Sequence, residues 1–503
     1  MHVRAVLSNT ASLALLGAIV PAAADICSNI KTASSSSDIL SEPLSLAYET
    51  EIQNYWSAAC SGLRPTCMVF PTSAEEVSDI IQALQQTDDL FAVKSGGHMP
   101  NNGFSSIQGG LLLSTKNLNN IVAYDADTQT AKIGPGLTWA QAQQGLEGTG
   151  MTVVGGRLGG VGIGGYILGA GLSFLSAQYG WAANNVVDLE VVLANGTIVH
   201  ANDFENEDLF AALKGGGSSF GIVTQYTLKT YPIADKVWGG VITFGQDKTP
   251  QVLEAIRNFV EYYPDDKAAI IPTCEHTALF TSWFVFFFYD GETAPAGVFD
   301  NFTDIGSLTS TVQTWDSYYD LLQSNDEYDL HGQRYAIATE TTPLPSAEFG
   351  TEVLTNIWET FYNITSEVIL DTGMIGTIAM QPMSRTITSK AKALGGDLLD
   401  FPDTTDYIIF ELDISHSLSL DDDTTEAAIE SLYTSLGNVV ENYIREGKLP
   451  DVYRPLFMND AHGTQDYWGR IAPSSRAFAK QVREKYDPEL FWQKRTSGGF
   501  RLG

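Results

Sequence analysis

The chain has 503 residues, with 28 basic and 60 acidic side chains that give a formal net charge of −32. Such a surface repels phosphate backbones, so it argues against nucleic-acid-binding proteins, whose affinity comes from lysine and arginine. The length predicts two or three domains and leaves room for a large buried cofactor.

The first 24 residues have the pattern of a secretory signal peptide. Arg4 precedes an apolar run at residues 11–20, and three alanines stand directly before Asp25. The apolar run is shorter than the ~20 residues that a membrane anchor needs, and no later segment is long enough to span a bilayer. We therefore expect a secreted protein with cleavage near Asp25 and no membrane association.

An oxidising compartment favours disulfide bonds among the four cysteines that follow the signal peptide, Cys27, Cys60, Cys67 and Cys274. One or two bonds are expected, and the spacing leaves three pairings open. None of the cysteines forms a metal-binding pair with a histidine cluster, so no metal site is expected. Three sequons, at Asn195, Asn301 and Asn363, indicate N-glycosylation.

The first half of the chain combines short strands with capped helices. A capping box from Thr72 to Glu75 predicts an amphipathic helix, and Thr138 with Gln141 predicts a second one. Residues 90–93 form an apolar strand, so residues 94–98 are the loop that leaves it. Asn195-Gly196 predicts a hairpin turn between two strands.

From about residue 231 the glycine content falls and aromatic residues increase. Residues 283–289 and 407–414 predict strands, and residues 251–263 and 424–446 predict long helices. This order predicts a sheet covered by helices. The whole chain is therefore expected to be α+β.

Three glycine-rich segments predict a nucleotide site. Nine glycines stand in residues 155–171, and shorter groups occur at 94–98 and 215–221. Repeated glycines let bare backbone N–H groups line an anion site, which suits a nucleotide diphosphate. The G-x-G-x-G-G run at 160–165 lacks the first βαβ unit of a Rossmann fold, so we expect one extended nucleotide held by several loops.

Several motifs occur here in the order found in one flavoprotein family. They are Val93-Lys94-Ser95-Gly96-Gly97-His98, the 155–171 tract, Asn184-Asn185-Val186-Val187, the Lys214-to-Val223 segment and Tyr486-Asp487-Pro488-Glu489. In these motifs the chain resembles the berberine-bridge-enzyme-like FAD-linked oxidases of the p-cresol methylhydroxylase (PCMH)/vanillyl-alcohol oxidase superfamily. The resemblance is close from residue 63 to about 232, moderate in the last 50 residues, and in outline only between them.

The resemblance implies an α+β fold with a two-part FAD-binding domain of the PCMH type. Residues 25–232 would form its first part and residues 453–503 would complete it. Residues 233–452 would form an inserted substrate-binding domain on an antiparallel sheet covered by helices. The flavin ring would lie between the two domains.

The resemblance also places covalently bound FAD on His98, the last residue of the S-G-G-H loop. A neutral imidazole is a competent nucleophile, and a covalent bond prevents loss of the cofactor outside the cell. The other cofactor-binding residues implied are Lys94, Ser95, Gly96, Gly97, Asn102, Val161, Gly162, Gly164, Gly165, Tyr166, Gly221, Ile222, Val223 and Asn459.

Two positions depart from the family pattern. Many relatives bind FAD through a second, cysteinyl bond, and Leu158 stands at that position here, so we expect attachment through histidine alone. Tyr166 replaces a frequent histidine. Val161, a small residue where the family's chain passes the reactive edge of the flavin, leaves room for O₂ and favours an oxidase.

The catalytic base is predicted among Glu411, His416 and Asn459. Relatives commonly carry a Tyr-x-Asn motif, and the corresponding stretch is Phe457-Met458-Asn459, which lacks the tyrosine but keeps Asn459. Glu411 and His416, on or after the strand at 407–414, have suitable acid–base chemistry.

These features predict FAD-dependent oxidation of a small organic molecule by hydride transfer, with O₂ reoxidising the flavin to give H₂O₂. The substrate class stays open among alcohols, amines and activated C–H compounds. The expected partners are this substrate and O₂, for a monomer without nucleic acid. Two alternatives are an oligosaccharide oxidase and a secreted flavin-binding protein without turnover.

Overall fold

The computed structural model describes residues 23–33, 39–119 and 122–503. Residues 1–22 of the predicted signal peptide lie outside this part of the chain. The helices are α1 (Ala23–Ala33), α2 (Leu46–Gln53), α3 (Ala58–Ser61), α4 (Ala74–Gln85), α5 (Trp139–Leu146), α6 (Ile163–Leu168), α7 (Ser176–Tyr179), α8 (Glu207–Leu213), α9 (Thr249–Tyr262), α10 (Asp300–Thr303), α11 (Tyr318–Asn325), α12 (Gly350–Thr372), α13 (Arg385–Ala393), α14 (Asp422–Arg445), α15 (Tyr467–Arg470), α16 (Pro473–Tyr486) and α17 (Phe491–Arg495).

The strands are β1 (Leu40–Ser41), β2 (Cys67–Val69), β3 (Phe91–Lys94), β4 (Leu111–Ser114), β5 (Ala123–Asp125), β6 (Thr130–Ile133), β7 (Met151–Thr152), β8 (Val186–Val192), β9 (Ile198–Asn202), β10 (Ile222–Lys229), β11 (Tyr231–Pro232), β12 (Val237–Gly245), β13 (Ala268–His276), β14 (Thr281–Tyr289), β15 (Thr309–Ser310), β16 (Gln313–Trp315), β17 (Arg334–Pro343), β18 (Ile375–Met383) and β19 (Tyr407–His416). No helix of the described ranges is both long enough and apolar enough to cross a bilayer.

The described part of the first half of the chain contains three small sheets, one of which is the antiparallel pair β7 and β11. The first has the order β1-β2-β4-β3, and β4 runs parallel to both β2 and β3. The second, β5-β6-β10-β8-β9, is antiparallel, and the predicted hairpin at Asn195-Gly196 joins β8 to β9. Gly196 adopts φ +80°, a conformation that favours glycine.

The middle of the chain forms one large antiparallel sheet in the order β15-β12-β14-β13-β18-β19-β17, with β16 beside β12. Helices α9, α12 and α14 pack on one face of this sheet. Because alternate residues of a strand point to opposite faces, the apolar Phe410, Leu412 and Ile414 of β19 enter the core beneath these helices. The mixed α+β fold and the helix-covered antiparallel sheet are confirmed.

The C-terminal residues return to the first half of the chain. Ser497 N donates to Phe91 O on β3 at 2.8 Å, and Trp468, Ala479 and Val482 share the hydrophobic core of the glycine-rich half. This packing is what a two-part cofactor domain requires. The boundaries at 232 and 452 stay predictions.

A disulfide joins Cys27 on α1 to Cys67 on β2, which settles the pairing that the sequence left open. Cys60 and Cys274 are free and buried. The bond ties the first described helix to the parallel sheet.

Two details of secondary structure differ from the sequence predictions. The N-cap of α4 is Ser73 rather than Thr72: Ser73 Oγ accepts from Glu76 N at 3.3 Å, and Glu76 Oε2 accepts from Thr72 N at 2.7 Å. Helix α12 was not predicted. Its sequence is rich in β-branched and aromatic residues, and burial of side chains such as Ile357 and Phe361 decides its conformation.

Candidate active site

A cavity of about 450 Å³ lies between the glycine-rich half and the uncovered face of the large sheet. One side is formed by the 95–98 loop, the 155–171 tract, residues 217–223 and residues 492–500 of the C-terminal segment. The other side is formed by alternate residues of β13, β14, β17, β18 and β19. The cavity therefore joins the predicted cofactor loops to the predicted substrate sheet.

Two glycine loops meet backbone to backbone at this cavity. A Cβ added to Gly96 would lie 2.5 Å from Gly162 Cα, so no side chain fits at the crossing. Ser95 stabilises the contact between the two glycine loops, because its hydroxyl donates to Pro135 O at 2.5 Å and accepts from Gly164 N at 3.3 Å. The two loops thus form one continuous backbone surface.

The other glycines of the tract have different roles. A Cβ at Gly155 or Gly156 would meet the Trp139 ring at 2.1 or 2.4 Å, so these glycines are needed for packing. A Cβ at Gly165 would meet no protein atom within 4 Å, although the residue lines the cavity. Gly165 leaves space for something that the protein itself does not supply.

His98 lines the cavity and is held by an acidic and an aromatic neighbour. Its Nε2 lies 3.3 Å from Asp329 Oδ2, and its ring stacks on Trp56 at 4.5 Å between centroids. Burial alone would raise the pKa of the Asp329 carboxyl, but the hydrogen bond from His98 holds it below its usual value. The side chain of Asp329 is 4% exposed and that of His98 is 25% exposed. His98 is therefore oriented but reachable from the cavity.

A group of carboxyls lies on the sheet side. Glu411 and Asp413 are two positions apart on β19, so both side chains face the cavity. Asp460, from the C-terminal segment, lines the cavity with them. Burial raises the pKa of Glu411, while the charge of Arg157 opposes the rise. The pKa values of Asp413 and Asp460 are raised further, by burial and by the charge of Glu411.

Arg157 reaches this group through an amide. Its guanidinium donates to Gln381 Oε1, and Gln381 Nε2 donates to Asp460 Oδ2 at 2.7 Å. Asn325 holds the backbone of the same residue, because its Nδ2 donates to Arg157 O at 3.1 Å. The only basic residue of the 155–171 tract therefore lies opposite the carboxyls of the sheet.

Three of the residues predicted for the site, Lys94, Asn102 and His416, do not line the cavity. Lys94 is fully buried and pairs with Glu51 at 2.5 Å, so it supports the loop instead of lining the cavity. Asn102 is exposed and lies outside the cavity lining. His416 also lies outside the cavity lining. Its two ring nitrogens are hydrogen-bonded to Asp422 at 2.8 Å and to Thr425 at 3.1 Å.

Asn459 and Tyr166 line the cavity but are also bonded to the tract. Asn459 Nδ2 donates to Tyr166 O at 3.1 Å, and a Cβ on Gly169 would overlap the Asn459 amide. The Tyr166 hydroxyl donates to Leu172 O at 2.5 Å. The remaining predicted residues that line the cavity are Ser95, Gly96, Gly97, His98, Val161, Gly162, Gly164, Gly165, Gly221, Ile222, Val223 and Glu411.

Sequence reasoning missed Asp329, Arg157, Asp413 and Asp460. The period-two alternation of β19 could have identified Asp413 once Glu411 was chosen, and Asp460 directly follows Asn459. No sequence signal connects Asp329 to His98, since 231 positions separate them. Across the described ranges, no group of three or more His, Cys, Asp or Glu side chains is arranged to hold a metal ion.

The residues of the cavity fit a flavin nucleotide. The close crossing of Gly96 with Gly162 and the open space beside Gly165 leave room for a diphosphate, which binds to backbone N–H groups. The apolar Val161 and Leu168 beside them suit a flat aromatic ring. The fold and this cavity together define an FAD-binding oxidoreductase.

The comparisons with known proteins agree. Residues 65–202 match a family model described as an FAD binding domain. An uncharacterized FAD-linked oxidoreductase of Arthroderma benhamiae is 48% identical over 92% of each chain. The FAD-dependent monooxygenase prx3 of Penicillium roqueforti is 30% identical over 98% of this chain and 96% of its own. Berberine bridge enzyme from Eschscholzia californica superposes with a TM-score of 0.72 at 18% identity, over 95% of this chain and all of that one.

The chain belongs to the family of FAD-linked oxidoreductases, and its fold is that of berberine bridge enzyme. FAD as the cofactor and the FAD-linked oxidoreductase class, both expected from the motifs, are confirmed; the bond to His98 stays a prediction.

Proposed function

We propose that the protein is an oxidase that takes a hydride from a small organic substrate and passes the electrons to O₂, releasing H₂O₂. One observation carries the proposal: a single cavity has the glycine loops and His98 on one side and Glu411 on the other. When bound by the glycine loops, FAD would supply the hydride acceptor. Substrate would then lie against the sheet.

Glu411 is the proposed proton acceptor for the substrate O–H or N–H group. It lines the cavity on β19, and the rise in its pKa brings it closer to the range in which a carboxylate works as a base. His416 is withdrawn from this role because Asp422 and Thr425 occupy its ring nitrogens. Asn459 holds the glycine tract through Tyr166 O.

His98 is the proposed attachment residue for FAD. Asp329 accepts a hydrogen bond from Nε2, which leaves Nδ1 as the ring nitrogen with a free lone pair. Leu158 stands where a cysteinyl bond would need a thiol. A single histidyl bond is therefore proposed.

Acid precipitation tests the attachment. Flavin fluorescence should stay with the denatured wild-type protein and should move entirely to the supernatant for His98→Ala. Asp329→Asn should bind FAD but retain less of it in the pellet. The matched control is His331→Ala, which removes a largely exposed histidine 3.4 Å from Asp329 and should keep the bond. A colourless wild-type pellet would reject the histidyl bond.

Monooxygenation is a second candidate, favoured by the name of the Penicillium roqueforti relative. Turnover under ¹⁸O₂ separates the two. An oxidase releases one labelled H₂O₂ for each substrate oxidised and places no label in the product, whereas a monooxygenase places one ¹⁸O atom there. Failure of the photoreduced protein to reoxidise in air would instead support flavin binding without turnover.

Secretion is part of the proposal. The signal-like start of the sequence, the Cys27–Cys67 disulfide and the exposed positions of Asn195, Asn301 and Asn363 support it. Mass spectrometry of protein from the culture medium checks this, with a mature start near Asp25 and glycans on the sequons as the expected result. Retention in the cells with an intact N-terminus would reject it.

A further inference from the structure

Exposed apolar side chains are concentrated in three loops, which we call the end loops: residues 277–280, 329–333 and 417–421. Among the described residues, eleven large apolar or aromatic side chains are exposed, and five of them belong to these loops. The other six come from five separate parts of the chain, and such single exposed residues are normal. The five in the end loops are Leu279, Phe280, Leu330, Leu418 and Leu420.

The strand register places the end loops side by side at one end of the large sheet. The first loop joins β13 to β14, the second enters β17 and the third leaves β19. At this end His276 of β13 pairs with Gly376 of β18, and Arg334 of β17 pairs with His416 of β19. Four interstrand spacings lie between β14 and β17, so the end loops span about 19 Å across the sheet.

Hydrogen bonds fix the conformation of the end loops. The Thr277 hydroxyl accepts from the backbone N of Leu279 at 3.2 Å and from that of Phe280 at 3.0 Å. Ser417 Oγ donates to Gln333 Oε1 at 2.8 Å, which joins the third loop to the second. The apolar side chains are therefore presented to solvent by turns with defined bonds.

The cavity reaches the surface at the same end of the sheet. Leu330 lines the cavity and is 49% exposed, so it stands at the opening. Ile375, the first residue of β18, and Ser415, the last but one of β19, also line the cavity. A surface that covers the end loops would therefore also cover the opening.

The charges around the end loops favour an uncharged partner. The loops contain no lysine or arginine, and the neighbouring Arg334 is paired with Asp422 at 2.5 Å. Their charged residues are Asp421 and Asp329, and Asp329 lies 3.4 Å from His331. Anionic lipids attract lysine and arginine, which are missing here. A second copy of the chain would bring another net charge of −32 and would be repelled.

We infer that the end loops dock on an uncharged lipid surface, with Leu279 and Leu420 entering the lipid and the cavity opening facing it. Contact of this kind needs no spanning segment, because apolar side chains insert only into the interface. The inference therefore replaces the expectation of no membrane association, which rested on the length of the apolar segments. It does not depend on the proposed oxidase function, since lipid binding needs no turnover.

Co-sedimentation of the purified flavoprotein with phosphatidylcholine vesicles tests the docking. The wild type should bind, and it should bind more weakly when phosphatidylserine replaces part of the phosphatidylcholine. Leu279→Asp and Leu420→Asp should each lower the partition coefficient about tenfold, because each replaces an inserted apolar side chain by a charge. The two leucines are 92% and 89% exposed, so neither change should disturb the fold.

Phe204→Asp is the matched control. Phe204 is 94% exposed in the connection between β9 and α8, in the glycine-rich half of the molecule. The variant makes the same apolar-to-acidic change outside the end loops, so it should bind the vesicles as the wild type does.

Wild-type protein that stays unbound at the highest lipid concentration would overturn the inference, as would tighter binding to the phosphatidylserine vesicles or an equal loss of binding in Phe204→Asp. Light scattering tests self-association: a lipid-free dimer that Leu420→Asp dissociates would assign the end loops to a second copy and overturn lipid docking. Failure of the proposed function would appear instead as a colourless protein or a flavin that O₂ does not reoxidise.

Discussion

The absence of a side chain at Gly165 leaves space for a ligand but is not needed for packing within the protein. It stands inside α6, where a Cβ would touch no protein atom within 4 Å. Gly96 is the opposite case, because its Cβ would lie 2.5 Å from Gly162 Cα. The two residues come from similar glycine-rich motifs and cannot be distinguished by sequence.

Gly165→Ala should therefore impair cofactor binding without harming the fold. Alanine is favoured over glycine inside a helix by about 0.5–1 kcal/mol, so the Tm should stay constant or rise. The added methyl group projects into the cavity, so the ratio of flavin to protein absorbance should fall. Gly96→Ala should instead lower the yield of folded protein. Normal flavin content in Gly165→Ala would contradict this assignment.

Strand β19 carries the site because its alternation separates two kinds of residue. Leu412 and Ile414 face the helices, whereas Glu411 and Asp413 face the cavity. The strand, and one of its two carboxyls, could be predicted from the local pattern. Helix α12 could not, because its conformation depends on packing against α14 and the sheet.

The Cys27–Cys67 disulfide between α1 and β2 is expected to stabilise the native state. The disulfide closes a loop with a sequence separation of 40 residues, which corresponds to about 4 kcal/mol of chain entropy in the unfolded state. Cys27→Ser should lower the free energy of unfolding by up to that amount in urea titrations. The double variant with Cys67→Ser should lose no more than the single one.

Cys60→Ser is the control, since Cys60 is a free thiol whose loss breaks no cross-link. A Cys27→Ser midpoint equal to that of the wild type, under oxidising conditions, would show that the bond contributes nothing.

Four carboxyls at the cavity make the free energy of unfolding of the whole protein depend on pH. Burial raises the pKa values of Glu275, Glu411, Asp413 and Asp460 in the native state, whereas unfolded carboxyls titrate near pH 4. Above about pH 4 these four groups therefore hold more protons in the native state than in the unfolded state. Their contribution to the free energy of unfolding falls as the pH rises, by up to about 1.4 kcal/mol per pH unit for each such group.

Urea unfolding of the cofactor-free protein between pH 4.5 and 7.5 measures this slope. Asp413→Asn should make the slope shallower. Asp316→Asn, which changes a carboxyl whose side chain is 86% exposed, should leave it unchanged. Carboxyls with lowered native pKa values, such as Asp329 and Asp422, act in the opposite sense only below about pH 4, outside this range. Inside the range His276, whose pKa burial lowers, acts in the opposite sense up to about pH 6.5, as one group against four. Stability that increases with pH across the range would contradict the prediction.

Sequence patterns predicted the layers of the fold and most of the glycine side of the cavity, because strand alternation, capping and glycine loops are local. Sequence patterns did not predict the roles of residues whose contacts come from segments far apart in the sequence. Lys94 could not be distinguished from a cofactor contact without knowing that Glu51 lies 2.5 Å from it. Asp329 could not be found at all, since only the tertiary fold brings it to His98.

The return of the C-terminal segment has a consequence for biosynthesis. Ser497 bonds to β3, and both Trp492 and Phe500 line the cavity beside loops that are translated about 270 to 400 codons earlier. The flavin pocket therefore cannot close while the chain is still emerging from the ribosome. A nonsense codon near position 490 would remove part of the pocket itself, so a nascent chain acquires its yellow cofactor only after synthesis has passed that point.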